Sequence, residues 1–343
     1  MNNPQITALD LARLCLIAAT SVIAAPTAIA QTSETVVFNI ENDLFTGSDN
    51  NYTNGLSVTW SSDEVGKYRS GSFVSNIANT MDFLPGFNNG TSTDHISFSL
   101  ISEMNTPSRI DLVDPLLDDQ PYSGILLLST GFYTDHGDWT QAWDIKLGAV
   151  GPITQTDHVQ IEFHELIGAE EPLGWDAQLP NEAILNVGYL AGRTLYEGST
   201  AIGNEWRAVG LANASLGNYQ TAAGGGLILE LGNDLDKTLS TASLGQGFGS
   251  IVGLGTSPTP DLKYTVYAGV GANAVGHFLP LDGTVFRGSR SVDYDPLAAF
   301  FSAGATLRYG RMIASFGISR GATPFDDTED ETDYGAISIG WQY

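Results

Sequence analysis

Residues 333–343, the C-terminal stretch of the chain, read DYGAISIGWQY. Its large side chains stand at every second position: Ile337, Ile339, Trp341 and Tyr343. Successive side chains of a β-strand point to opposite faces, so this spacing predicts a strand with one apolar face. An ordinary amphipathic strand at a chain end would show the same alternation.

The aromatic residue that ends this run resembles the assembly signal of outer-membrane β-barrels, and the alternation recurs along the chain. Val36, Phe38 and Ile40 form one face of a first strand, and Leu56 and Trp60 belong to the apolar face of a second. A third strand, at 95–100, has Ile96, Phe98 and Leu100 on the face predicted to meet lipid, and further candidates lie at 122–134, 138–150, 184–195, 205–217, 222–233, 263–277, 292–309, 311–321 and 333–343. Twelve strands, an even number, predict an all-β fold: an antiparallel transmembrane β-barrel with short loop helices.

The first thirty residues are predicted to be a signal peptide. Leu14–Ala24 is an apolar run, and Ala28-Ile29-Ala30 fits a small-residue cleavage site. The run is too short for a membrane-spanning helix, which needs about twenty apolar residues. The single cysteine, Cys15, lies within this segment. We therefore expect a mature chain, residues 31–343, without thiols or disulfides.

The charge balance narrows the classes of partner. The chain has 14 Lys and Arg against 39 Asp and Glu, a net charge of −25. Nucleic acid requires a basic footprint, so it is excluded as a partner. An anionic lipid would also be repelled unless divalent cations bridged the two. Hydrophobic residues make up 42% and charged residues only 15%, and this composition, in short alternating runs, suits a membrane barrel.

Two segments depart from the strand pattern. Residues 73–84 show helical spacing, and residues 155–168 predict a helix ended by Gly168, with Gln160 and His164 one turn apart. Nothing divides residues 31–343 into two domains. If the N-terminus lies in the periplasm, the loops at 43–51, 103–121, 151–183 and 323–333 all face the cell exterior. The candidate active site is then at the extracellular rim.

Three groups of residues carry the candidate chemistry. The first is Glu41-Asn42-Asp43 with Tyr52-Thr53-Asn54-Gly55, which could equally be hairpin residues, since Asn and Asp favour turns. The second runs from Thr106-Pro107 to Gln120-Pro121-Tyr122-Ser123-Gly124. The third comprises Gly151-Pro152, Gln160, His164, Gly168, Glu170, Pro172, Gly174-Trp175, Gln178-Leu179 and Asn181-Glu182. Singly, each is an ordinary loop residue.

In this order and spacing, the three groups resemble the lipid A 3′-O-deacylase family of the outer membrane. The resemblance covers nearly the whole mature chain, including Leu216-Gly217-Asn218 and Leu231-Gly232-Asn233-Asp234. It implies a twelve-stranded barrel that uses Ca²⁺ and removes the ester-linked 3′ acyl chain of lipid A in lipopolysaccharide. The implied location is the bacterial outer membrane, as an integral protein.

The resemblance also implies roles for individual residues. His164 matches the catalytic histidine, Thr53 the Thr or Ser of the second strand, and Asn42 and Asp43 the acidic rim motif. Glu170 matches the carboxylate that follows the histidine. We therefore expect His164, Thr53 and Asn42 in catalysis, and Asn42, Asp43 and Glu170 as candidate Ca²⁺ ligands.

The chain departs from the family pattern at two places. Family members use a lysine in the loop after the third strand, where Arg109 is the basic residue of this chain. Arg109 could hold a substrate phosphate but cannot replace lysine identically. The usual Asn-Glu-Pro is Asn181-Glu182-Ala183 here.

The residues fit ester hydrolysis on chemical grounds as well. A neutral histidine can activate water near pH 7, and a cation must stabilise the developing oxyanion. Ca²⁺ prefers carboxylate and carbonyl oxygens, which this set offers. The motif G-x-S-x-G at 317–321 is rejected, because it lies on a predicted strand and no histidine follows it. Two alternatives stay open: a non-enzymatic pore or structural barrel, and a phospholipase on the same scaffold.

Overall fold

The protein forms a closed antiparallel barrel of twelve strands. The structure, a computed structural model, describes residues 34–42, 52–90, 92–167, 170–233, 235, 258–321 and 332–343. The strands are β1 (Thr35–Asn42), β2 (Tyr52–Ser61), β3 (Thr93–Asn105), β4 (Ser123–Asp135), β5 (Trp139–Val150), β6 (Glu182–Ser199), β7 (Glu205–Gly217), β8 (Gln220–Gly232), β9 (Thr259–Phe278), β10 (Leu297–Gly310), β11 (Met312–Gly321) and β12 (Thr332–Gln342). The helices are α1 (Phe73–Thr80), α2 (Thr156–Ile167) and α3 (Leu279–Asp282).

The barrel closes where the first strand meets the last. β1 pairs with β12 from Thr35↔Gln342 to Asn42↔Gly335, and every other strand pairs with its neighbours in sequence. We call the end at which β1 finishes the upper rim, and the opposite end the lower rim. The described loops of the upper rim are L2 (106–122), L3 (151–181), L4 (218–219) and L5 (279–296).

The alternation along each strand separates an outer face from a lumenal face. On β4, Leu126 and Leu128 are exposed, whereas Ile125 and Leu127 are fully buried. Phe38, Ile40, Ile339 and Trp341 are exposed, as the sequence pattern predicts for lipid-facing positions. This agreement confirms a twelve-stranded barrel whose apolar side chains point outward.

The segment 62–92 covers the outer wall near the lower rim. Phe87 meets Phe132 edge-on, with 5.2 Å between ring centroids, and Phe73 lies 5.7 Å from Phe98. The Pro85 carbonyl accepts a hydrogen bond of 2.7 Å from Gln141 on β5. Ile96, predicted to face lipid, is fully buried because this segment packs over it.

Apolar side chains fill the lumen near the upper rim. The lumenal cluster comprises Ile101, Ile125, Leu127, Val150, Leu179, Ile184, Tyr219 and Leu279, none more than 8% exposed. The hydroxyl of Tyr219, in L4, donates to the two carboxylate oxygens of Glu103 on β3, at 3.0 and 2.9 Å. Three strands separate β3 from β7, so this contact bridges the lumen. Protein therefore fills the barrel at this level, which argues against an open pore.

The predicted elements match the observed ones with shifts at their ends. The candidate strand 292–309 begins later, at Leu297, because the backbone of Val292 bonds Leu281 within L5 and Pro296 lacks an N–H to donate. The predicted helix 73–84 ends at Thr80, and the chain then turns through Pro85 and Gly86. Within the described ranges, no helix has the length and apolar character of a membrane span. The predicted signal peptide lies outside the described residues.

Removing Trp341–Tyr343 should prevent barrel closure. Trp341 pairs with Val36, and the Tyr343 amide donates to the Glu34 carbonyl at 3.0 Å. Without them the first residues of β1 would have unpaired backbone groups, which are costly in lipid. We expect loss of the compact, heat-modifiable species in semi-native electrophoresis. As a control, Tyr343→Phe loses only the hydroxyl that accepts from Trp60, and a closed barrel in both variants would contradict the expectation.

Candidate functional site

L3 begins with a turn that only glycine can make. Gly151 has φ = +100°, and a Cβ there would lie 2.7 Å from the backbone of residues 179–181. Its amide donates to the Gly124 carbonyl at 2.9 Å, which ties the loop to β4. The chain then enters α2, the helix that carries His164. The predicted helix is confirmed, although its expected final glycine, Gly168, lies outside the described residues.

The N-terminus of α2 is seated on the outer wall of the barrel. A Cβ on Gly124 would lie 1.6 Å from Oγ1 of Thr156, the first residue of the helix. Gly124 alternates with the lumenal Ile125, so it belongs to the outer face of β4. The glycine therefore makes room for the helix, and α2 starts on the lipid-facing side of the wall.

Buried aromatic and polar contacts hold α2 to L2. Gln160 is 2% exposed, and its side-chain carbonyl accepts from Trp175 Nε1 at 2.7 Å. The Trp175 ring packs against Tyr122, with 4.9 Å between centroids. The Leu173 amide donates to the Ile110 carbonyl at 2.9 Å. The second and third sequence motifs thus build one folded unit.

His164 contacts the backbone of Glu170. Its Nδ1 lies 2.5 Å from the Glu170 carbonyl oxygen. A carbonyl only accepts hydrogen bonds, so Nδ1 carries the proton and, in the neutral ring, Nε2 keeps a free lone pair. The backbone of Glu170, and not its carboxylate, orients the imidazole. The carboxylate of the exposed Glu170 is therefore left for another role.

Asn42 lies at the same level of the outer wall as the seat of α2. On the outer face, Asn54 of β2 pairs with Met104 of β3, and Met104 pairs with Gly124 of β4. The register of β1 and β2, continued by one residue, places Asn42 beside Asn54. Three strand spacings of about 4.8 Å then separate Asn42 from Gly124, roughly 14 Å.

The structure describes the backbone of Thr53 but not Asp43, the other two candidate residues of the first motif. Thr53 lies at an irregularity of β2, where the register shifts between Tyr52 and Asn54. Its side chain and the whole of Asp43 lie outside the described residues. Their predicted roles therefore stay predictions.

Arg109 is near Glu170, but it already has a partner. Its Nε and Nη2 donate to the two carboxylate oxygens of Asp111, at 2.7 and 2.8 Å. The hydrogen bonds that the Arg109 guanidinium donates to Asp111 raise its pKa, and the charge of Glu170 acts in the same direction. A phosphate at Arg109 would have to share this guanidinium with Asp111.

Carboxylate and amide oxygens are the donors available for a metal ion. In the part of the chain that the structure describes, no group of three or more His, Cys, Asp or Glu side chains could hold a metal. The predicted set, however, includes the amide of Asn42 and also Asp43, beyond the described residues. Its all-oxygen chemistry fits Ca²⁺ and not a soft metal such as zinc in a thiolate site.

Comparison with known proteins identifies the family. A family model described as "Outer membrane protein LpxR" matches residues 12–343. The chain belongs to this family. The family that the motifs indicated is thereby confirmed, and this LpxR-family member is an outer-membrane protein with a closed barrel. No curated protein sequence matches the chain.

A solved LpxR structure supports the fold. LpxR from Salmonella typhimurium is 21% identical, with a TM-score of 0.72, over 90% of this chain and 99% of that one. The translocator domain of the autotransporter NalP from Neisseria meningitidis, 10% identical, covers 98% and 96% of the two chains at a TM-score of 0.35. That second likeness is too weak to bear on fold or function.

The structure gives Glu182 a role that sequence reasoning did not predict. This residue, 7% exposed, begins β6 and accepts a hydrogen bond of 3.0 Å from Asn218 Nδ2 in L4. It also accepts hydrogen bonds from the backbone amides of Val285 and Phe286 in L5. Glu182 and Asn218 both stood in recognised motifs, but nothing in their spacing indicates a contact with residues so distant in sequence.

Gly124→Ala should displace α2 from the wall. The new Cβ would overlap Thr156, whose short side chain cannot move aside, and overpacking of this kind costs about 1–3 kcal/mol. We expect a lower unfolding temperature and reduced activity, with Thr156→Ala restoring part of both. Gly66→Ala is the matched control, because its Cβ would meet only Glu64 Oε1 at 3.6 Å. Equal stability of the two alanine variants would show that α2 is not seated as described.

Proposed function

We propose that the protein is a Ca²⁺-dependent carboxylic ester hydrolase that removes the 3′-linked acyl chain of lipid A in the outer leaflet. The observation that carries the proposal is the contact between His164 Nδ1 and the Glu170 carbonyl. It supports a histidine held in the tautomer of a general base, on a helix seated against the outer wall of an outer-membrane barrel.

In the proposed reaction, His164 Nε2 takes a proton from water as the water oxygen attacks the ester carbonyl. The tetrahedral intermediate then collapses, the bond to the sugar oxygen breaks, and that oxygen receives the proton from the imidazolium. The fatty acid forms as the neutral carboxylic acid and then loses its proton to solvent. The Glu170 carbonyl keeps Nδ1–H in place through both transfers, as a fixed partner does for other catalytic histidines.

Asn42, Asp43 and Glu170 are the residues that would hold Ca²⁺. When bound, the ion supplies positive charge where the oxyanion develops. Glu170 suits this role because its carboxylate is exposed while its backbone carbonyl serves His164. Thr53, on the adjacent strand, stays a proposed catalytic partner.

The position of α2 favours a lipid substrate. An ester whose acyl chain lies in the outer leaflet reaches the outer face of the wall without leaving the membrane, provided the upper rim faces the cell exterior. The filled lumen makes the pore alternative the weaker one. A phospholipase would use the same histidine and the same side of the barrel, so substrate assays must separate the two activities.

His164→Ala should abolish most hydrolysis while leaving the barrel folded. General-base catalysis typically contributes about a hundred- to ten-thousand-fold, and the helix remains seated through Thr156 and Gln160. The assay follows fatty-acid release from purified lipid A in detergent with Ca²⁺, by mass spectrometry, with phospholipid as a parallel substrate.

His158→Ala is the control, because His158 lies exposed on the same helix. It should retain wild-type activity. Equal rates in the two variants would rule out His164 as the base. Release from phospholipid alone would favour a phospholipase.

Glu170→Ala separates the two roles of this residue. The substitution removes the carboxylate but keeps the backbone carbonyl that orients His164, so a loss of activity would report on the carboxylate. We expect a higher Ca²⁺ concentration for half-maximal activity, and Asp43→Ala should behave in the same way. Glu171→Ala is the control, since Glu171 is also exposed and adjacent. Unchanged Ca²⁺ dependence in both test variants, or full activity in chelator, would refute the metal role.

A further inference from the structure

The upper-rim loops contain very little positive charge, and it is concentrated in two of them. In the segments 43–51, 106–122, 151–181, 218–219, 279–296 and 322–331, the only Lys or Arg residues are Arg109, Arg287 and Arg290. Arg109 belongs to L2, and the other two belong to L5. In a chain with a net charge of −25, these three arginines are the cations that the loops of this rim offer to an anionic ligand.

The tip of L5 is fixed to a strand that lies three positions around the barrel from β9. The Glu182 carboxylate accepts hydrogen bonds from the Val285 amide at 3.1 Å and from the Phe286 amide at 2.7 Å. L5 joins β9 to β10, whereas Glu182 begins β6, so the loop reaches over the mouth. Hydrogen bonds to a buried carboxylate are stronger than neutral ones, and these two also satisfy a charge that would be costly if left unpaired.

Internal contacts shape this tip into a rigid turn. The Thr284 hydroxyl donates to the Arg287 carbonyl at 3.0 Å, and the Thr284 amide donates to Ser289 Oγ at 2.8 Å. The turn holds Phe286, 77% exposed, beside the exposed Arg287. Within the described part of the chain, the Arg287 guanidinium forms no salt bridge. An apolar ring and a free cation are thus held together.

L5 continues this surface onto L2. The Arg290 guanidinium donates to the Leu116 carbonyl, and the neighbouring Leu117 is 84% exposed. Val113 and Val285 are also exposed. We call this surface the L2–L5 platform; it comprises Val113, Leu116, Leu117, Val285, Phe286, Arg287 and Arg290. L2 also bonds L3 through Ile110 and Leu173, so the platform adjoins the loop that carries His164.

We propose that the L2–L5 platform is a second docking surface for the substrate, a phosphorylated and acylated glycolipid. Arg287 binds a phosphate, and Phe286 and Leu117 contact acyl chains. Charge complementarity selects this occupant, because an anionic lipid presents apolar chains beside phosphate and the platform presents apolar side chains beside unpaired positive charge. Glu182 is a positioning residue that holds the tip of L5. The inference rests on the proposed function, whose site it extends.

Binding can be measured apart from catalysis in the His164→Ala background. The probes are purified lipid A and its dephosphorylated form, each in detergent micelles. Arg287→Glu should weaken binding of lipid A about tenfold, the scale of one lost charge-assisted hydrogen bond, and should leave binding of the dephosphorylated form unchanged. Phe286→Ser should weaken binding of both. Arg311→Glu, which changes an exposed arginine between β10 and β11 at the lower rim, is the matched control.

In the otherwise unmodified enzyme, Arg287→Glu and Glu182→Gln should raise KM several-fold with kcat unchanged. Glu182→Gln keeps the shape of the side chain and removes its charge, so the barrel should still fold. Binding by Arg287→Glu equal to that of the Arg311→Glu control would overturn the platform. Absence of hydrolysis by the unmodified protein would overturn the proposed function alone, because the binding measurements do not depend on turnover.

Discussion

Every strand of this barrel depends on the pairing of β1 with β12. Lipid offers no hydrogen-bond partners, so each backbone N–H and C=O within the membrane must bond a neighbouring strand, and a sheet with open edges cannot meet that requirement. The register from Thr35↔Gln342 to Asn42↔Gly335 closes the last gap. Closure also fixes which residues reach the upper rim, and so it sets the level of Asn42 and the seat of α2.

The loops of the upper rim use this rigid base in different ways. L3 rests on the outer wall through the glycine at 124 and is tied to L2 by buried polar and aromatic contacts. Tyr219 of L4 donates a hydrogen bond across the lumen to Glu103, and L5 donates backbone hydrogen bonds to Glu182. The catalytic candidate therefore lies on a loop, but that loop is held in place by strands.

The sequence predicted the parts of this molecule that have a local period. Alternating apolar residues predicted all twelve strands, and helical spacing predicted α2, because both patterns repeat within a few residues. Ile96 was predicted to face lipid because alternation cannot reveal that segment 62–92 folds back over the wall. Glu182 contacts Val285 and Phe286 in L5, which lie 103 and 104 positions later in the sequence. No local pattern encodes so large a separation.

For the candidate site, the sequence proposed residues but not the contacts between them. His164 and Glu170 do meet, but through a backbone carbonyl, and every residue has a carbonyl whatever its type. A sequence pattern assigns roles to side chains, because only side chains differ along a sequence, and so it predicted no contact of His164 with a backbone carbonyl. The expectation that Arg109 binds phosphate likewise could not take account of Asp111, which occupies two of its donors.

The covered wall of β4 gives the barrel an apolar belt of unequal height. Between Gly124, under α2, and Phe132, under Phe87, only Leu126, Leu128 and Thr130 face outward, a span of about 13 Å at 3.3 Å per residue. On the far side, the outward face of β10 has exposed apolar side chains at Leu297, Phe301, Leu307 and Tyr309, and the first and last of these are roughly 40 Å apart along the strand. A bilayer meeting both walls experiences hydrophobic mismatch, which is relieved by tilting the barrel or by thinning the membrane beside β4. Thinning would bring the lipid headgroups closer to the bilayer midplane on the side of the barrel where His164 lies.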